Sequence, residues 1–95
     1  MRNYEAIYIL KSDMEEEAIV SAITRFENVV KNGGGEIIKL DRWGKRRLAY
    51  ELNDYTEGHY VLMLFNSSTA ASQELERLLR ISDFVLRQLI IKKEE

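Results

Sequence analysis

His59-Tyr60-Val61-Leu62-Met63-Leu64-Phe65 is apolar on both of its alternating sets of positions: Val61, Met63 and Phe65 on one, Tyr60, Leu62 and Leu64 on the other. A short run rich in aromatic and branched side chains reads as a β-strand, and successive side chains of a strand point to opposite faces. An antiparallel sheet with one face in water shows clean apolar-polar alternation. This strand does not, so each face of its sheet calls for a cover.

The neighbouring elements carry the same signature. Residues 3 to 10 read as a first strand with Ala6, Tyr8 and Leu10 set against Ile7 and Ile9. Residues 84 to 91 read as a last strand with Leu86 and Ile90 set against Val85, Leu89 and Ile91. Residues 36 to about 52 read as one long strand or two halves, with Gly44 the bend or bulge, and Asn53 to Gly58 as the turn that follows.

Two helices separate the strands. Ser12 offers a cap, Glu15 completes a capping box, and Glu15, Glu16 and Glu17 suit the positive end of a helix dipole. The apolar stripe is Ala18, Ile19, Ala22, Ile23, Phe26, Val29 and Val30, stopped in a left-handed turn by Asn32 and Gly33-Gly34-Gly35. Ser67-Ser68-Thr69 caps a second helix striped by Ala71, Leu75, Leu78 and Leu79.

The order βαββαβ is an α+β, ferredoxin-like arrangement: a four-stranded antiparallel sheet with two helices packed on one face, in a single domain over residues 1–95. The helix side is assigned to the set containing Phe65, Met63 and Leu86. Tyr60, Leu62, Leu64, Leu89 and Ile91 then line a face that no element of the chain covers, and such patches mark partner sites.

Composition removes several function classes. With no cysteine and one histidine there is no disulfide framework, no thiolate metal site and no cysteine nucleophile, so no metal or cofactor is expected. His59 lacks a serine or aspartate companion in the sequence. Gly33-Gly34-Gly35 follows a helix, whereas a phosphate cradle joins a strand to a helix N-terminus. The loop after the first strand, Lys11-Ser12-Asp13-Met14, has neither the arginine nor the glycines of an acylphosphatase-like phosphate loop. Apolar runs are far shorter than the roughly 20 residues a membrane span needs, and the expectation is a cytoplasmic protein without a membrane partner.

The formal charge of -2 conceals segregation. Residues 12 to 36 hold six acids against Arg25 and Lys31. Residues 37 to 50 hold Lys39, Arg42, Lys45, Arg46 and Arg47 against Asp41, and residues 77 to 93 hold Arg77, Arg80, Arg87, Lys92 and Lys93 against Asp83. Arg42-Trp43-Gly44-Lys45-Arg46-Arg47 interleaves an aromatic with basic groups, which suits phosphate contact and stacking on an unpaired base. The bland alternative is a solvated charge run paired with Asp41, Glu51 or Asp83.

Three motifs carry a family resemblance. Arg2-Asn3-Tyr4-Glu5, Gly44-Lys45-Arg46-Arg47-Leu48-Ala49-Tyr50 and Leu79-Arg80-Ile81-Ser82-Asp83-Phe84-Val85-Leu86-Arg87, at matching separations along essentially the whole chain, resemble the bacterial small-subunit ribosomal protein six family. The resemblance implies a non-enzymatic constituent of the platform of the small ribosomal subunit. It further implies binding to the central domain of the small-subunit ribosomal RNA together with ribosomal protein eighteen, among other small-subunit proteins.

By position it makes Arg2, Arg80 and Arg87 candidates for RNA contact. Lys45 is a further RNA candidate, Arg46 and Arg47 divide between RNA and the protein interface, and Trp43 joins Tyr60, Leu62, Leu64, Leu89 and Ile91 as interface candidates. Many members carry a flexible C-terminal tail that adds partner contacts or receives extra glutamates. This chain stops at Glu95, with Glu94-Glu95 as a remnant or a boundary, so tail-dependent functions are not expected of it.

The isolated protein is expected to be monomeric. The alternative from another class is a ferredoxin-like regulatory module that covers its own sheet by homodimerisation, and an enzyme built around His59 comes third.

Overall fold

A computed structural model describes residues 1–93. The elements are β1 (Arg2–Lys11), α1 (Glu16–Asn32), β2 (Glu36–Leu52), β3 (Tyr55–Ser67), α2 (Thr69–Ile81) and β4 (Val85–Lys93). The strands form one sheet in the order β2-β3-β1-β4, every neighbouring pair antiparallel. This is the ferredoxin-like fold expected from the element order.

Both helices pack on the same face. Ile19, Ile23, Phe26 and Val30 of α1 and Leu75, Leu78 and Leu79 of α2 meet Tyr4, Ala6, Tyr8, Leu10, Val61, Met63 and Phe65 of the two central strands. Phe26 anchors the layer: fully buried, it stands edge-on to Tyr8 with ring centres 5.1 Å apart, a preferred aromatic geometry. The Phe65 and Met63 set is therefore the helix side. Leu86 is not. A register shift between Ile9 and Leu10 pairs them with Arg87 and Val85, so Leu86 is passed over and Val85 packs against the core in its place.

The start of the first helix differs from the expected cap. The chain turns just after β1, with the Met14 N–H donating to the Lys11 carbonyl at 3.4 Å, and the Tyr55 hydroxyl donates to Asp13 at 2.9 Å. Helix α1 consequently starts at Glu16, with Glu15 as an N-cap that makes no side-chain cap hydrogen bond, rather than in a box begun by Ser12. At its end Gly34, within the expected stop, takes the left-handed conformation (φ +85°). Gly35 is needed for proximity, because a Cβ there would stand 2.3 Å from the Asn66 carbonyl oxygen of β3. The second cap is as expected: Ser68 Oγ accepts from the Ala71 N–H at 3.1 Å.

The connection expected over Asn53 to Gly58 contracts to a two-residue turn. Asn53 and Asp54 both have positive φ, 47° and 69°, and strand pairing resumes at once with Leu52 opposite Tyr55. The β2–β3 hairpin thus runs on as a long arm. Glu94 and Glu95, on which the reading of a tail remnant falls, lie outside the described residues.

Candidate functional site

The register fixes what the second sheet face presents. Ile7 lies between Leu62 and Leu89, Glu5 between Leu64 and Ile91, and Ile9 between Tyr60 and Arg87. All are directly opposed pairs, so their side chains share one face. No helix covers it: Leu89 is 55% and Ile91 45% exposed, and Tyr60, Leu62 and Leu64 are half-buried.

One corner is roofed by the chain itself. Ile9 and Leu48 are both buried and converge on Gly58, where a Cβ would lie 2.2 Å from Ile9 Cγ2 and 3.5 Å from Leu48 Cδ2. Beyond Leu48, the Tyr50 hydroxyl accepts a hydrogen bond from Arg87 Nη1, and the guanidinium sits 6.0 Å from the Tyr50 ring centre. The hairpin arm folds back on one end of the face and leaves the Ile7, Leu62, Leu64, Leu89 and Ile91 region open.

The aromatic corner is built by a bulge. Arg42 opposes Val61 and Gly44 opposes Tyr60, which leaves Trp43 as the unpaired residue beside a left-handed Gly44 (φ +83°). The Trp43 ring lies nearly parallel to Tyr60, 15° between planes and 6.3 Å between centres. Its indole N–H donates to Asp41 at 3.2 Å, and the Arg46 guanidinium sits 5.8 Å from the ring centre.

Arg42 itself points to the helix side. It forks onto Glu16 at 2.6 and 2.8 Å, and its Nε–H donates to Nε2 of the buried His59 at 3.2 Å. Hydrogen bonding to Arg42 holds the Glu16 carboxyl below its ordinary range, and burial, then the Arg42 charge, hold His59 below its own. His59 is therefore a neutral acceptor, and Arg42 is committed to the protein rather than open to phosphate. Among the described residues no group of three or more His, Asp or Glu side chains is arranged to hold a metal. No helix among them is long and apolar enough to cross a membrane.

The basic candidates are dispersed. Lys45 opposes His59 on the helix side, Arg46 opposes Gly58 on the open side, and Arg47 opposes Glu57 along the arm. Arg80 stands exposed in the last turn of α2, one layer away from Arg87 on the open face. Arg2 opposes Ser67 at the far end of β1, about 23 Å of strand from the level of Arg87. The six RNA candidates thus do not form one cluster: Arg46 and Arg87 border the open face, and the others lie around the periphery.

Comparison with known proteins decides the family. The family described as ribosomal protein S6 matches residues 3–92. The chain is 53% identical over 95 residues to the small ribosomal subunit protein bS6 of Thermoanaerobacter pseudethanolicus, and 47% identical to that of Desulfitobacterium hafniense, covering 100% of both chains in each case. The chain belongs to the ribosomal protein S6 family. The crystal structure of 30S ribosomal protein S6 from Thermotoga maritima superposes with a TM-score of 0.91 at 28% identity, covering 97% of this chain and 87% of that one.

As a member of the S6 family the chain is a structural constituent of the small ribosomal subunit and not an enzyme. Its place is the cytoplasmic ribosome, among ribosomal RNA and other subunit proteins. The open face contains residues that reading the sequence did not single out. Ile7 was legible from strand parity, and Leu48 and Tyr50 lie in the quoted basic motif, but only the folded arm brings them onto the face. Lys92 opposes Tyr4 at the same end of β1 as Arg2.

Proposed function

We propose that this chain binds ribosomal protein eighteen through its open sheet face, and that the pair then binds the central domain of the small-subunit ribosomal RNA. The observation that supports this is the juxtaposition on one surface of exposed Leu89 and Ile91, half-buried Tyr60, Leu62 and Leu64, and the stacked Trp43, with Arg46 and Arg87 at its border. Apolar area of this kind is removed from water by a protein, while arginine supplies forked contacts to phosphate. Arg2, Arg80, Lys45 and Arg47 are the outlying RNA contacts in this reading.

A chain of net charge -2 with few free cations binds RNA weakly alone and with strong salt dependence. Joined to a second protein that also holds the RNA, it gains affinity through effective concentration. Filter binding to the RNA central domain with and without protein eighteen, at two salt concentrations, is the test. Affinity that rises at least tenfold with the partner supports the reading, and equal affinity in both cases refutes it. Sedimentation at micromolar concentration is expected to show a monomer; a tight dimer would mean that a second copy covers the face instead.

A further inference from the structure

We propose that Arg42, gripped from the helix side by Glu16 and His59, is a positioning residue that holds Trp43 against Tyr60 on the opposite face and so shapes the surface the protein partner meets. The inference rests on the proposed use of the open face, but its first half is tested without any partner.

Trp43 is the unpaired residue of a bulge, so the hydrogen-bond ladder does not set its placement. Its flanks do. On one side Gly44 adopts φ +83°, a conformation other residues resist, and a Cβ there would meet nothing within 4 Å, so the glycine serves the backbone turn and not a packing need. On the other side Arg42 is tied by three hydrogen bonds to two elements: Glu16 in the first turn of α1, and His59 in β3. A planar guanidinium in a two-pronged contact accepts one orientation, which fixes the residue that carries it.

Folding energy is a poor explanation for this arrangement. The Arg42 side chain is 31% exposed and that of Glu16 65%, and ion pairs so open to solvent contribute little to stability. What the contact does supply is geometry. Arg42 and Trp43 are consecutive, so anchoring one on the helix side orients the peptide that aims the other at Tyr60. Asp41 at the indole N–H and Arg46 near the ring centre complete the holding of the ring once it is aimed.

Trp43 is the single tryptophan of the chain, so intrinsic fluorescence reports its setting directly. Arg42→Met is expected to shift and broaden the Trp43 emission and lower its anisotropy, and to weaken binding to protein eighteen by about fivefold. Arg42→Lys is expected to rescue neither fully, since an ammonium cannot fork onto Glu16. Glu16→Gln, an exposed change that leaves the fold intact, is expected to give a smaller shift in the same direction. Far-UV circular dichroism confirms that each variant is folded. A wild-type Trp43 signal in folded Arg42→Met and Glu16→Gln overturns the positioning role, whatever the partner does. A shifted signal with unchanged partner affinity overturns the link to binding, and Trp43→Ala then separates the two failures. If Trp43→Ala also binds normally, the open-face reading fails at this corner; if it binds poorly, only the link to Arg42 does.

Discussion

Arg87 of β4 donates a hydrogen bond to the hydroxyl of Tyr50, and by that contact the hairpin arm is tied across the open face to the edge strand. Both residues are exposed, so the tie is a surface contact and contributes little to folding. It keeps the Arg87 guanidinium at the rim of the apolar patch, level with Ile9.

Charge reversal at this rim gives the first prediction. Arg87→Glu is expected to reduce incorporation into RNA by about tenfold while changing stability by less than about 0.5 kcal/mol, as surface substitutions do. Arg80→Glu acts from another layer, so the two effects are expected to multiply in the double variant. Stability falls slightly more for Arg80→Glu, which places an acid at the negative end of α2. Quantitative incorporation assays and urea unfolding measure both, and wild-type incorporation of the double variant refutes the assigned roles.

The two faces of β3 give the second. Phe65 is fully buried and stacks on Tyr4 at 5.4 Å, so Phe65→Ala is expected to cost about 3–5 kcal/mol of stability. Leu62, half-buried on the other face, is expected to lose less than about 2 kcal/mol on change to Ala, while partner affinity falls more than tenfold. Equal losses of folding and binding in Leu62→Ala would show that its burial belongs to the core.

What could be read in the sequence was what belongs to one strand or one helix. The doubled apolar parity of residues 60 to 65 and the stripes from Ile19 to Val30 and Ala71 to Leu79 follow from local periodicity, and they place the core and the open face. Register is different, because it is a relation between strands. Nothing in Val85-Leu86-Arg87 announces that β1 will pair with the first and third of these and skip the second. Glu57 and Gly58 are weak strand formers that become strand by pairing with Arg47 and Arg46 across the hairpin, hence the turn that looked longer than it is. Arg42 looked like part of a basic run, and its commitment to Glu16, 26 residues away, exists only in the fold.

Tyr8 offers a third prediction of opposite sign to most core substitutions. Its ring is fully buried, its hydroxyl has no hydrogen-bond partner among the described residues, and burial pushes its pKa up, away from ionisation. A buried polar group left unmatched carries a desolvation penalty. Tyr8→Phe keeps the edge-to-face contact with Phe26 and is expected to leave stability unchanged or raise it by about 1 kcal/mol in urea unfolding. A loss of more than about 1 kcal/mol would show that the hydroxyl is bonded in solution.

Acid should loosen the same helix-side contact that holds Arg42. Neutral His59 accepts from Arg42 Nε; as imidazolium it has no lone pair to offer and adds a charge beside Arg42 and Lys45, opposed by Glu16. Its folded pKa is lowered, so below the ordinary value of about 6.5 the unfolded chain binds the proton first, and stability falls as pH falls through that value toward the folded one. Glu16 is lowered as well, by its hydrogen bond to Arg42, so its contribution is present above the ordinary carboxylate range and is lost at more acid pH. Urea midpoints between pH 8 and pH 3 should therefore decline for the wild type, with the upper part of the decline removed in His59→Gln and the part below about 4.5 removed in Glu16→Gln. A His59→Gln profile that parallels the wild type from pH 8 to 5 would assign the acid sensitivity to other groups.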